Sequence, residues 1–190
     1  TSANKIVKLD ANAKLPAVDG SQLTNIPVGS GEVVQIVMTE DQAARSLSSP
    51  AFPGDNTKPQ NNEGSEYTQL ATTITPKNAN NILIIDVEIQ VNTESNFGSF
   101  SEAFLFKGTD PDALAGGRTH EWYALGSSGS TSCTRKITFC YKMTAGGISA
   151  ITFKVRMGCS YSGLLLNQDH YGYTYGGILT SSMKITEVKA

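Results

Sequence analysis

Residues 81–92 read Asn-Ile-Leu-Ile-Ile-Asp-Val-Glu-Ile-Gln-Val-Asn, and they constrain the fold more than any other stretch. Leu83, Ile85, Val87, Ile89 and Val91 share one parity, whereas Asp86, Glu88 and Gln90 share the other. A period of two sustained over this length is the pattern of a β-strand with one dry face. Burying five such side chains is worth roughly 1.5–3 kcal/mol each, enough to offset the ordering of the strand. At one end the polar face carries Ile82 and Ile84, so that end should be covered on both sides.

The alternation recurs. Ile137, Phe139, Tyr141 and Met143 oppose Lys136, Thr138 and Lys142, and Ile151, Phe153, Val155 and Met157 oppose Thr152, Lys154 and Arg156. Residues 144–147 (Thr-Ala-Gly-Gly) form a short glycine-bearing hairpin connection between them. Residues 177–188 supply a closing strand, and 67–74 and 103–107 supply shorter ones. Val33-Val-Gln-Ile-Val-Met38 is apolar with little alternation, which predicts cover on both faces. With six to eight strands separated by turn clusters and no convincing amphipathic helix, residues 32–190 read as an all-β, antiparallel β-sandwich or jelly roll. Only residues 39–47 suggest a helical turn or two, capped by Thr39.

Two segments do not fit a closed sandwich. Residues 45–66, around Phe52, are polar and interrupted by proline and glycine; a loop of that length is functional or packed against something. Residues 1–31 hold an extended segment with turn chemistry at Asp10-Ala-Asn12 and Asp19-Gly20, ending in a flexible joint. An isolated strand or hairpin is marginal in water, so this arm must borrow its burial, most simply from identical chains. The doubly apolar strands around Ile82, Ile84 and Val33–Met38 point the same way, since a symmetric interface would cover them. The alternative is that the 45–66 loop covers them within one chain.

Composition narrows the function. Charged residues are 17% of the chain and the formal net charge is -2, which supplies no basic footprint for nucleic acid and no attraction to an anionic membrane. There is no long apolar run for membrane insertion. Cys133, Cys140 and Cys159 are an odd number without a CxxC pair; Cys140 and Cys159 read as small buried or half-buried thiols, reduced during assembly in a cytoplasm. Neither metal-ligand spacing nor a cofactor fingerprint occurs, so no metal and no cofactor are expected.

Catalytic constellations are equally thin. Asp169 beside His170 would need a serine from elsewhere, and adjacent side chains point in different directions. Asp110, Asp112 and Glu121 are the carboxylates available for glycoside hydrolysis, but Asp110-Pro-Asp112 reads more plainly as a turn. An enzyme is not expected. The remaining chemistry is aromatic and polar, in loops: His120, Trp122 and Tyr123 form one cluster, and Asn167, Asp169, His170, Tyr171, Tyr173 and Tyr175 form another. Aromatic rings stack on the apolar faces of sugars while amides and carboxylates hydrogen-bond hydroxyls, and loops on a rigid sandwich are where binding groups sit. The alternative for Trp122 and one or two tyrosines is a core-capping role with the polar tip at the surface.

Four stretches carry a family resemblance. The arm, Ile-Val-Lys-Leu-Asp at 6–10 leading to Leu-Pro-Ala-Val-Asp-Gly-Ser at 15–21, resembles the repeat of bacteriophage tail-fibre shafts. Thr-Ile-Thr-Pro-Lys-Asn-Ala-Asn-Asn-Ile-Leu-Ile-Ile-Asp-Val at 73–87, Ala-Phe-Leu-Phe-Lys-Gly at 103–108 and Ser-Ser-Met-Lys-Ile-Thr-Glu-Val at 181–188 resemble the tip domain of such fibres. The resemblance implies an extended, intertwined shaft segment over 1–31, a β-sandwich tip over 32–190 and a homotrimer. It further implies a place at the distal end of the virion's tail fibre. The expected function is attachment to a host cell-surface glycan or outer-membrane protein. A trimerisation module that only ends the fibre, or a non-catalytic depolymerase fragment, are the alternatives.

Overall fold

A computed structural model describes residues 30–48, 50–95, 99–120, 131–160, 163–169 and 171–190. Of the expected shaft segment, all but residues 30 and 31 lie outside the described residues. The strands are β1 (Val33–Asp41), β2 (Arg45–Leu47), β3 (Ser65–Glu66), β4 (Thr72–Ile74), β5 (Ile82–Ser95), β6 (Phe100–Lys107), β7 (Ala115–His120), β8 (Thr131–Thr144), β9 (Ile151–Cys159), β10 (Leu164–Leu166) and β11 (Ser181–Val188). A single 3-10 turn, Thr68–Leu70, is the helical element among the described residues.

The strands form two antiparallel sheets, as the sequence pattern predicts. One runs β1-β11-β5-β10-β2 with β8 on the far side of β5; because β1 and β2 share one position and β11 and β10 another, its six strands are four wide. The second runs β3-β9-β6-β7 with β4 also on β9, so β3 and β4 share an edge and it too is four wide. Two packed four-wide sheets with these crossovers make a jelly roll. Long-range register holds the ends together: Val188 pairs with Ile82, and Ile82 with Thr144.

The core lies between the sheets and is built from the predicted faces. Leu83, Ile85, Val87, Ile89 and Val91 of β5 are all buried, as are Phe153, Val155 and Met157 of β9 and Met183 and Ile185 of β11. Tyr67, just before the 3-10 turn, and Leu70, its last residue, are buried in the same core. Glu187 takes an inward position on β11 and is fully buried. Its carboxylate accepts hydrogen bonds from the Lys77 amide (2.8 Å), from Asn81 Nδ2 (2.6 Å) and from Gln35 Nε2 (2.5 Å). Burial pushes its pKa upward, but the Asn81, Gln35 and backbone donors outweigh that and hold it below the ordinary glutamate value. Glu187 thus fastens the last strand to the turn that opens β5.

Three local expectations are corrected, and one unexpected strand, β7, is added. Residues 39–47 are not helical: Thr39–Asp41 finish β1 and Arg45–Leu47 form β2, because ladders to β11 and β10 satisfy their backbone. Asp41 bridges the break by accepting the Ala43 amide at 3.2 Å. β7 escapes the sequence pattern because its Gly116-Gly117 pair lacks side chains. A Cβ on Gly117 would lie 2.9 Å from Ile137 Cγ2, so glycine is what lets β7 close against β8. Cys140 is exposed, since Phe139 and Tyr141 take the inward positions; Cys159 is buried as expected.

The third correction concerns the polar loop. It packs on its own chain, over the outer face of the β9-β6-β7 sheet: Phe52 is buried edge-on to Phe104, ring centroids 4.7 Å apart, and its amide donates to Glu102 Oε1 at 2.8 Å. Arg156 Nη2 donates to the Gly64 carbonyl at 2.9 Å. The loop therefore does not cover the outer face of the other sheet, where Ile36 and Met38 remain 58% and 48% exposed in the single chain. Ile82 and Ile84 there are half-buried.

Candidate functional site

The connection from β10 to β11, within residues 167–180, carries the exposed tyrosines found among the described residues, Tyr171, Tyr173 and Tyr175. Its first residue, Asn167, has φ 57, a left-handed conformation that asparagine tolerates better than most residues. Its amide side chain is fully buried. Nδ2 donates to Tyr67 Oη (2.9 Å) and to the Ala43 carbonyl (3.1 Å), and Oδ1 accepts from Ser181 Oγ (2.6 Å). Ser181, the first residue of β11, accepts the Gln90 amide in turn at 3.0 Å. Both ends of the loop are thereby tied to each other and to β5.

The same cluster includes a charge. Tyr67 Oη donates to Asp41 Oδ2 at 2.7 Å, and Arg45 Nε approaches that oxygen at 2.5 Å. Burial raises the pKa of Asp41, but the hydrogen bonds from Arg45, Tyr67 and the Ala43 amide more than reverse this, so its carboxyl sits below its ordinary value. Burial and the neighbouring Asp41 carboxylate push the Tyr67 phenol well above its ordinary value, so it remains a donor. A buried network whose members are all bonded rigidifies what it holds.

Beyond Asn167, Asp169 organises the loop. Its Oδ1 accepts the amides of Tyr171 (2.9 Å) and Tyr173 (2.8 Å), and its Oδ2 accepts Tyr175 Oη at 3.1 Å. That last bond raises the Tyr175 phenol pKa, with the Asp169 charge adding to it. Gly172, Gly176 and Gly177 take positive φ, and so does Tyr175 at 52, where a side chain is strained. The rings face solvent: Tyr171 is 79%, Tyr173 62% and Tyr175 61% exposed. Ring centroids of Tyr171 and Tyr173 are 6.2 Å apart, and those of Tyr173 and Tyr175 6.4 Å. Gly172, Tyr173, Thr174, Tyr175 and Gly176 line a hollow of about 580 Å³.

The expected site residues are only partly united. Tyr171, Tyr173 and Tyr175 form one surface with Asp169 beneath it. Asn167 is corrected: buried and bonded on both amide atoms, it anchors the loop and does not face a ligand. His120 ends β7 in the other sheet, its ring stacked at 6.4 Å on Phe100. His170, Trp122, Tyr123 and Glu121 lie outside the described residues. Asp110 and Asp112 sit in the β6–β7 turn near Lys107 (3.3 Å) and Lys58 (3.7 Å) respectively. Sequence reasoning overlooked Asp41, Tyr67 and Ser181. The readable signal was a serine on the inward parity of Met183 and Ile185, a polar residue that must find a buried partner.

No group of His, Cys, Asp and Glu among the described residues could hold a metal ion, and none of their helices is long and apolar enough to cross a membrane. No protein-family model matches the chain, and no curated protein matches it. Among solved structures it is similar to Eiger TNF from S. frugiperda, at 10% identity over 82% of this chain and 92% of that one, with a TM-score of 0.45. It is also similar to infectious bursal disease virus, Gx strain, at 15% identity and a TM-score of 0.34, covering 92% of this chain and 42% of that one. The VP2 subviral particle of infectious bursal disease virus matches at 14% identity and a TM-score of 0.35, covering 84% of this chain and 40% of that one.

Proposed function

We propose that the chain is the receptor-binding tip of a bacteriophage tail fibre, acting as a homotrimer and attaching the particle to a host cell-surface glycan through the tyrosine loop. The observation that carries this reading is the display of Tyr171, Tyr173 and Tyr175, exposed and held in place from both ends of the loop. Tyrosine gives a large, amphipathic contact surface at low entropic cost, which suits a recognition loop. Spending a strained backbone position at Tyr175 on an exposed ring makes sense when that ring is used.

Asp169 is committed to the loop's own amides and to Tyr175, so ring faces and phenol hydroxyls, not a free carboxylate, would meet the ligand. Such a site is weak alone. Three copies per tip, and several fibres per particle, raise avidity through effective concentration.

The test is binding of the full chain to whole bacterial cells and to an array of bacterial glycans, compared with Tyr171→Ala and Tyr173→Ala. Loss of binding in folded variants supports the reading; unchanged binding removes the loop from the site. That second result would favour a trimerisation module without receptor contact, a reading to which the uncovered apolar face near Ile36 also lends itself.

A further inference from the structure

The outer face of the β1-β11-β5-β8 layer is organised in rows across the strands. Ile36, Thr186, Ile84 and Lys142 are in register, then Met38, Lys184, Asp86 and Cys140, then Glu40, Ser182, Glu88 and Thr138. The β1 side is apolar, ending in an acid, whereas the β8 side is polar and basic. Two ion pairs lie on this face: Lys184 with Asp86 at 3.0 Å between the central strands, and Lys136 of β8 with Glu88 of β5. Of the charged residues in these rows, Glu40 and Lys142 are the two without an ion-pair partner among the described residues, and they stand on opposite edge strands. A depression of about 420 Å³ crosses the face between Met38 and Cys140.

The other sheet's outer face is covered by the Phe52 loop, so among the described residues this face is the one that lacks a cover. The domain's two ends also meet here: Gly31 donates to the Lys189 carbonyl at 2.8 Å, and Lys189 donates to Glu32 at 2.8 Å. Residues 30 and 31 thus lead into the domain at the apolar end of the face.

We propose that copies of this chain meet head to tail on this face, the apolar β1 edge of one copy lying on the β8 side of the next with Glu40 opposite Lys142. An unpaired acid on one edge and an unpaired base on the other are complementary between translated or rotated copies. A contact that sets β1 against β1 would not bring Glu40 to Lys142; a two-fold contact of the two faces would, but it gives a dimer, and a mass of twice 20.2 kDa in light scattering overturns the head-to-tail arrangement. Head-to-tail contacts that close after three copies give a ring, so the inference rests on the trimeric reading above and assigns its surface. The depression takes side chains from the neighbour, and Cys140 is covered on assembly.

The test uses the full chain, its mass followed by light scattering on dilution, with Glu40→Lys, Lys142→Glu, the double reversal and Ile36→Asp. Both charged residues are exposed, so their reversal should leave the circular dichroism spectrum of the folded chain unchanged, while melting of the assembly falls with its affinity. The wild type should weigh three times 20.2 kDa. Each single reversal should raise the concentration at which the assembly dissociates roughly tenfold or more, and the double reversal should restore it to within about threefold. Ile36→Asp should dissociate it and expose Cys140 to alkylation, read by peptide mass mapping.

A trimer unmoved by the single reversals and by Ile36→Asp, with Cys140 freely alkylated, overturns this surface while leaving the trimer intact. A double reversal no better than the singles overturns the Glu40–Lys142 pairing. A monomeric wild type overturns both assembly claims, and cell binding by the tyrosine variants then judges recognition separately.

Discussion

Replacing Asn167 with alanine should be among the most damaging single changes in the molecule, although the residue sits in a loop. Its amide satisfies Ser181 Oγ, Tyr67 Oη and the Ala43 carbonyl from a fully buried position. Truncation leaves the buried Ser181 hydroxyl without its acceptor and removes a donor from the Asp41–Tyr67 cluster, together about 2–4 kcal/mol. Alanine at φ 57 adds about 1–2 kcal/mol that asparagine largely avoids. The expected loss is therefore roughly 3–6 kcal/mol, a large part of the about 5–15 kcal/mol that holds a domain of this kind together. Urea unfolding followed by circular dichroism measures it as a fall in midpoint at constant slope. Asn167→Gly separates the two contributions, because glycine loses the same hydrogen bonds but not the backbone conformation, and should recover about 1–2 kcal/mol. An Asn167→Ala protein within about 1 kcal/mol of wild type would refute the latch; alanine and glycine variants of equal stability would refute the backbone part of the reasoning.

Asp169→Ala should cost little stability, about 1 kcal/mol, because its partners are exposed, yet reduce cell binding as much as loss of one tyrosine. A binding curve that does not move would separate the carboxylate from recognition. Glu187 has a folded pKa below its ordinary value of 4.5, so its contribution is fully present above pH 4.5 and is lost as pH falls through the folded value. Glu187→Gln should lower stability by about 1–3 kcal/mol at neutral pH and flatten the acid limb of the stability profile, which chemical denaturation at a series of pH values will read. Gly158→Ala would set a Cβ 2.8 Å from Phe52 Cδ2 and 3.0 Å from the Pro50 carbonyl, displacing the loop from its sheet. A melting temperature lowered by several degrees, about 1–3 kcal/mol, is expected, and an unchanged one would show that the loop yields freely.

The strands were legible where one face is dry and the other wet. In β5, β8 and β9 the period-two pattern named the inward residues correctly, because burial on one face leaves that imprint on composition. What was hidden was set by partners distant in sequence. Residues 39–47 carry helix-start chemistry locally, yet pairing with β10 and β11 overrides it. Asn167 looks like one more polar loop residue, and nothing nearby in sequence reveals that Tyr67 and Ser181 will enclose it. Cys140 was misjudged by its apolar neighbours, although the alternation of Phe139 and Tyr141 already turned it outward. For the site, the tyrosine cluster was visible as composition, but the role of Asp169 as its internal scaffold required the geometry.

The most direct check of the central claim is a pull-down of the full chain on a panel of bacterial strains, run beside Tyr171→Ala/Tyr173→Ala with matched thermal stability. Saturable adsorption to some strains, abolished by the double substitution, is the predicted result. Equal adsorption by both proteins would contradict it.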